Sequence, residues 1–252
     1  MRARKRKDTD AYGAELLSAY RDPRGKLEIT EREDGLVAAS AWPPRYFAEY
    51  SAWSEREKRA ARLARGHVLD VGCGAGRFAL YLQKRGLRVT AIDNSAGAIR
   101  VCRLRGVKNA RLLSITEVKL FKPGTFDTIM MMGNNFGLFG SRSRTKSLLK
   151  DFFRITGAKA QIIAETVDPY YTRDPLHHAY QRANRKRGRM SGQIRMRVRH
   201  KNVKGPWMDY LLVSREEMRT LVKGTGWKIS RFISDTGPGY TAIIIKKDTT
   251  NT

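Results

Sequence analysis

The sequence predicts an α/β domain built on a largely parallel sheet with helices on both faces. Three observations predict it. From His67 onward, short apolar runs alternate with amphipathic helical stretches, the signature of repeated β–α units. One such run, His67 to Val71, passes through a glycine-rich turn directly into a helix. The length, 252 residues, suits one domain with appendages, enough to bury about 70–75% of the unfolded surface.

Taken in order, the first seven residues carry five basic side chains and read as a disordered arm. Residues 9–20 have the apolar spacing of a short helix. Two β-like runs, 26–34 and 35–40, meet at Asp34-Gly35, a hairpin turn signal. Pro43-Pro44 then breaks the chain, and residues 45–65 read as one helical stretch. Residues 1–66 thus form an appendage, a basic arm followed by a helical and hairpin lid with Tyr46, Phe47, Tyr50 and Trp53 as its aromatic side chains. The main domain covers 67–252.

Within the main domain, strands are expected at 67–71, 87–92, 109–114, 126–132 and 160–165, with helices at 76–86, 95–106 and 141–156. A helix at 214–226 opens with Ser214 and has Glu217 three residues on, the spacing of a capping box. Two strands, 226–233 and 239–247, close the chain. Residues 166–213 break the alternation and read as an inserted cap. There Ile194, Met196 and Val198 alternate with Arg195, Arg197 and Arg199, a period of two that predicts a half-buried strand with a basic outer face.

Charge is the compositional outlier. Fifty Lys and Arg against 24 Asp and Glu give a net charge of +26, a field that attracts polyanions, acidic substrates or anionic surfaces. No apolar run approaches the ~20 residues of a membrane span, so no membrane partner is expected. The basic N-terminus lacks a following apolar segment, so no secretory signal is expected. Two cysteines, Cys73 and Cys102, exclude a disulfide framework and a cysteine-rich zinc site. A reducing cytoplasm is the expected compartment, and no metal is expected.

The informative stretch is Asp70-Val-Gly72-Cys73-Gly74-Ala-Gly76-Arg77. Glycines between a buried strand and a helix permit positive φ and let a ligand approach backbone N–H groups. The third glycine falls one residue too early for a dinucleotide fingerprint, and no phosphate-loop lysine motif occurs. The spacing D-x-G-x-G-x-G, with Asp93 at the end of the next strand, resembles the class I S-adenosylmethionine-dependent methyltransferases. The resemblance covers 67–165 well and 214–246 in outline. It implies a Rossmann-like, seven-stranded, mostly parallel sheet whose last strand is antiparallel. It also implies S-adenosylmethionine as cofactor and S-adenosylhomocysteine as product. Asp70, Gly72, Cys73, Gly74 and Gly76 would then flank the methionine part, Asp93 and Asn94 the ribose, and Glu117, Thr116 or the Ile115 backbone the adenine, while Asn134 is suited to orient a substrate or the cofactor's amino group.

Gly133 to Leu138 follows the fourth strand, at the end of the sheet where open α/β folds bind ligands. It lacks the [DN]-P-P-[YFW] tetrad of many amino-group methyltransferases, which disfavours methylation of base nitrogens. Methyl transfer from an activated donor depends mainly on alignment, so a general base is needed only for an acceptor that must lose a proton. Glu165, Asn134 and His177 are the catalytic candidates. Asp127, opening the fourth strand, reads as structural, and both cysteines as small apolar fillers.

Three functions remain open on the sequence. The first is methyl transfer to a small molecule, an acidic one included, enclosed by the lid and the cap. The second is methylation of RNA or DNA, with the cap as a phosphate groove: Pro175 to Met208 contains no acidic residue. The third is cofactor binding without catalysis. Oligomeric state is not legible.

Overall fold

The computed structural model describes residues 9–22, 24, 27–40 and 42–247. The expected basic arm lies outside them. Twelve strands and eight α-helices are placed among the described residues. The main sheet contains β3 (His67–Val71), β4 (Arg88–Asp93), β5 (Ala110–Leu112), β6 (Phe126–Met131), β7 (Thr156–Val167), β11 (Trp227–Ser234) and β12 (Gly239–Lys246). Its order is β11-β12-β7-β6-β3-β4-β5. The pairs β5–β4, β4–β3, β3–β6 and β6–β7 are parallel, while β12 runs antiparallel to both β7 and β11. This is the seven-stranded class I methyltransferase sheet that the order of elements led one to expect.

Helices cover both faces because each main strand is apolar on both sides. On one face α6 (Arg142–Ile155) and α8 (Arg215–Val222) bury Leu149, Phe152, Met218 and Leu221 against Leu69, Ile129 and Ile162. On the other, α3 (Glu55–Arg62), α4 (Arg77–Lys84) and α5 (Ala96–Leu104) bury Ala60, Ala61, Phe78, Leu82 and Ile99 against Val68, Ala91 and Met130. The Ser214–Glu217 capping box opens α8 as expected, with both reciprocal bonds present.

Residues 45–65 do not form one helix. A four-residue turn of helix, α2 (Trp42–Arg45), is followed by a 3-10 turn, Tyr50–Ala52, and then α3. Pro43 and Pro44 lie inside α2, where a first-turn proline forfeits no helical hydrogen bond. A second capping box, Ser54 with Glu57, fixes the start of α3 and so excludes a continuous helix through it. Trp53, buried in front of that cap, packs on Phe78 and Tyr81 of α4 instead of hanging over a pocket.

The appendage and the insert are joined. β1 (Glu28–Arg32) pairs antiparallel with β2 (Val37–Ser40), with Gly35 at φ 91° in the turn between them. β1 pairs on its other side with β8 (Gln193–His200), which also pairs with β9 (Val203–Lys204) and β10 (Met208–Leu211). The insert's helix, α7 (Pro175–Lys186), completes this second layer. The N-terminal helix α1 (Ala11–Arg21) seats Leu16, fully buried, against Ala75, Ala98 and Val101.

Candidate active site

The turn after β3 is shaped by three left-handed glycines, Gly72 at φ 70°, Gly74 at φ 53° and Gly76 at φ 78°. The space around two of them is already taken. A Cβ at Gly72 would lie 2.7 Å from the Asn135 amide nitrogen, and one at Gly76 would lie 2.6 Å from Val107. Gly74 is different: the nearest atom to its Cβ position is the Tyr12 hydroxyl oxygen, 2.8 Å away. The N-terminal helix therefore lies over the glycine turn.

Two contacts hold α1 there. Asp10 caps it by accepting from the Gly13 N–H at 2.8 Å, and its other oxygen accepts from the Gly97 N–H and the Ser95 hydroxyl, both at 2.9 Å. One carboxylate thus serves the N-termini of α1 and α5 together. A Cβ at Gly97 would fall 2.5 Å from the Gly13 Cα, so the two helices meet at backbone distance.

Asp70 ends up buried at 3% exposure, and its Oδ2 has no hydrogen-bond partner. Burial first, and Asp93 second, push its carboxyl up to about 7. Asp93 accepts from the Gly74 N–H at 3.0 Å and the Ser95 N–H at 2.9 Å. Burial raises it to about 6, against those two backbone bonds. Each of its oxygens keeps a further lone pair. Asn94, next along, is exposed. Cys73 is buried 3.6 Å from the Cys102 sulfur, and Cys102 donates to the Gly74 carbonyl at 3.1 Å. Asn135 donates to the carbonyls of Val71 and Gly72 at 2.9 and 2.7 Å, tying the loop after β6 to the glycine turn.

Asn134 sits in that loop at φ 69°, with its side-chain oxygen buried and unpartnered. Its carbonyl accepts from the Tyr210 hydroxyl at 2.6 Å. Glu165, at the end of β7, accepts from the Gly133 N–H at 2.8 Å and pairs with Arg56 at 3.0 Å. The structure thus brings Asp70, Gly72, Cys73, Gly74, Asp93, Asn134 and Glu165 to the carboxyl ends of the parallel strands. Two further candidates already have local partners. Glu117 is exposed and accepts from the Ser114 N–H at 2.9 Å, which closes a capping box. His177 lies on α7 with a 43% exposed side chain, and Nδ1 contacts the Thr172 hydroxyl at 3.1 Å. Asp127 accepts from the His67 N–H at 2.8 Å, the structural role expected of it.

The basic outer face of β8 is largely neutralised. Arg197 pairs bidentately with Glu31 and lies over the Trp207 ring at 4.4 Å; Arg199 reaches the same Glu31 at 3.5 Å, and Arg195 reaches Asp209 at 3.6 Å. The acids come from β1 and β10, outside the acid-poor run itself or at its edge. Among the described residues, no group of His, Cys, Asp and Glu is arranged to hold a metal, and no helix is long and apolar enough to cross a membrane.

Comparison with known proteins gives this geometry a family. Residues 68–159 match the family described as "Methyltransferase domain". Residues 68–159 thus carry a methyltransferase domain, and the fold around them is the class I methyltransferase fold. A SAM-dependent methyltransferase from Bacteroides fragilis, solved with S-adenosyl-L-homocysteine, shares the fold at TM-score 0.80, with 24% identity over 95% of this chain and 96% of that one. The 1,6-didemethyltoxoflavin-N1-methyltransferase of Burkholderia thailandensis shares it at TM-score 0.52 and 14% identity, over 94% and 87% of the two chains. A ubiquinone biosynthesis O-methyltransferase from Xanthomonas euvesicatoria is 36% identical over 75 residues. That stretch is 28% of this chain and 31% of the relative, so the chain matches less than a third of the relative's length.

The sequence did not disclose the groups that close the methyltransferase site. Tyr12, Glu15, Glu28, Tyr210 and Arg56 all come from outside the family motif. Glu15 had a visible signal: it sits between Ala11 and Ala19 at four-residue spacing, on the stripe that α1 buries.

Proposed function

We propose that the protein transfers methyl groups from S-adenosylmethionine to a small molecule held in a closed pocket. The observation that carries this is the seating of α1 over the glycine turn, with the Tyr12 hydroxyl against Gly74. An open groove for a polynucleotide would leave that turn uncovered. Three of the cap's arginines, Arg195, Arg197 and Arg199, are drawn to Asp209 and Glu31.

The residues fit the cofactor. Asp70 Oδ2 and Asn134 Oδ1, buried without partners, suit an amino group that donates to both. Asp93 presents a carboxylate fixed by two backbone N–H groups, suited to ribose hydroxyls. Gly72, Cys73, Gly74 and Gly76 form the wall for the methionine part, Asn94 the rim by the ribose, and Glu117 the weakest member, since it already serves as a cap. When bound, the cofactor supplies a methyl group already activated on a positively charged sulfur. The chain's own contribution is alignment, which can supply about 7–11 kcal/mol of such a barrier. Glu165 is spoken for by Arg56 and the Gly133 N–H, so it sets the position of Asn134 rather than taking a proton. His177 remains on the surface helix, and no role in transfer is assigned to it.

The names of the relatives support a small acceptor: a ubiquinone precursor pathway for one and 1,6-didemethyltoxoflavin for another. Two free thiols 3.6 Å apart, Cys73 and Cys102, support a reducing cytoplasm. The test has two parts. Calorimetry should show S-adenosylhomocysteine binding at micromolar affinity or better. Labelled methyl transfer into a cell extract should appear in the low-mass fraction and survive nuclease treatment. Label confined to a nuclease-sensitive fraction would replace this reading with a nucleic-acid one.

A further inference from the structure

Two carboxyls, Glu15 and Glu28, lie near the glycine turn without a counter-charge among the described residues. Glu15 on α1 is 1% exposed, and neither of its carboxyl oxygens has a hydrogen-bond partner. It faces Glu28 on β1, the one charged group that acts on it appreciably. Glu28 accepts from the Tyr46 hydroxyl at 2.7 Å, and no cation pairs with it among the described residues. Among the described residues, no Lys or Arg pairs with either carboxyl. Ionised carboxylates left without a counter-charge in such a place are strongly disfavoured.

The surroundings suit an organic cation. Tyr12 and Tyr46 meet edge to face at 5.7 Å beside the two carboxyls, and Tyr210, on the far side, feels both Glu28 and Glu165. Phenol rings next to carboxylates bind ammonium groups through ring faces and charge together. Glu15 is three residues past Tyr12, on the same side of α1, so this cluster adjoins the glycine turn.

We infer that the acceptor carries an organic ammonium group, held as a cationic anchor between Glu15 of α1 and Glu28 of β1, while the methyl group goes to a different atom of the same molecule that keeps its lone pair. The inference rests on the methyltransferase reading above. It takes the opposite sign to the acidic acceptor that the net charge of +26 suggests. The cofactor also carries an ammonium group, so the same chemistry has a second source that the test must separate.

The experiment uses the full chain loaded with S-adenosylhomocysteine. Three isosteric probes are titrated calorimetrically: phenethylamine, 2-phenylethanol and 3-phenylpropionate. Phenethylamine should bind about tenfold or more tighter than the alcohol, and the carboxylate not measurably. Glu15→Gln and Glu28→Gln, each checked for folding by circular dichroism, should bring phenethylamine down to the level of the alcohol. Both should leave S-adenosylhomocysteine affinity within about threefold of the parent. Equal or tighter binding of 3-phenylpropionate, or no binding of phenethylamine, overturns the inference while intact S-adenosylhomocysteine binding keeps the methyltransferase reading. A selective loss of S-adenosylhomocysteine affinity in Glu15→Gln assigns the carboxyl to the cofactor and overturns it too. Absence of S-adenosylhomocysteine binding in the parent removes both readings.

Discussion

Replacing Glu15 by Gln should change how stability responds to pH. The Glu15 carboxyl is buried with both oxygens unbonded; burial, then Glu28, hold it up to about 9 from an ordinary value of 4.5. The folded state therefore keeps a proton that the unfolded chain has released. Because the folded state binds more protons, stability falls as pH rises from the unfolded value toward the folded one. The loss is at most about 1.4 kcal/mol per pH unit, so from pH 5.5 to pH 7.5 Glu15 costs about 3 kcal/mol. Gln stays neutral throughout. The variant should match the parent within about 1 kcal/mol at the lower pH, since its buried amide also lacks partners, and exceed it at the higher. Asp70, raised to about 7, and Asp93, raised to about 6, give slopes of the same sign in both proteins and cancel in the comparison. The assay is urea unfolding at the two pH values without ligand. With a slope of roughly 3 kcal/mol/M in urea, the parent's midpoint should fall about 1 M further than the variant's. Parallel behaviour of the two proteins would show that Glu15 ionises freely in the folded state, and the reasoning about its burial would be wrong.

Further outcomes follow from the same geometry. Asp93→Ala should leave the sheet intact by circular dichroism but weaken S-adenosylhomocysteine binding by about 10–100-fold, read calorimetrically, because the Gly74 and Ser95 N–H groups lose the carboxylate that aims them. Arg56→Ala should destabilise by about 3–5 kcal/mol in chemical unfolding, since Glu165 is left buried without its cation; a cost under about 1 kcal/mol would mean that the pair is solvated. Gly74→Ala should lose S-adenosylhomocysteine affinity and regain part of it in combination with Tyr12→Phe. The new methyl group meets only the Tyr12 hydroxyl, at a φ of 53° that remains strained.

The sheet was legible in the sequence because most of its strands are apolar runs separated by helical stretches; its spatial order, with β3 between β6 and β4, departs from the order along the chain. The glycine turn and Asp93 were legible for a similar reason: their spacing is local. The broken stretch before β3 was misread because Tyr46, Trp53 and Ala60 keep an apolar rhythm across three separate pieces, and only the Ser54–Glu57 box marks the true start of α3. The pairing of β1 with β8 was invisible, since neither strand's own pattern names a partner elsewhere in the chain. The approach of Tyr210 to Glu28 was hidden with it, because the two come together only through that sheet.

The β1–β8 pairing also bears on synthesis. Ile29 is opposite Arg199, so a ribosome must add roughly 170 residues after the first partner before the second exists. At about 5–20 residues per second that is on the order of 10–30 s. During that interval the helices and strands of the nucleotide-binding half can assemble, whereas the hairpin has only its own turn to hold it, and an isolated hairpin is marginal in water. Glu15, Glu28, Tyr12 and Tyr46 are thus made early, whereas Tyr210 reaches Glu28 only after the core has folded.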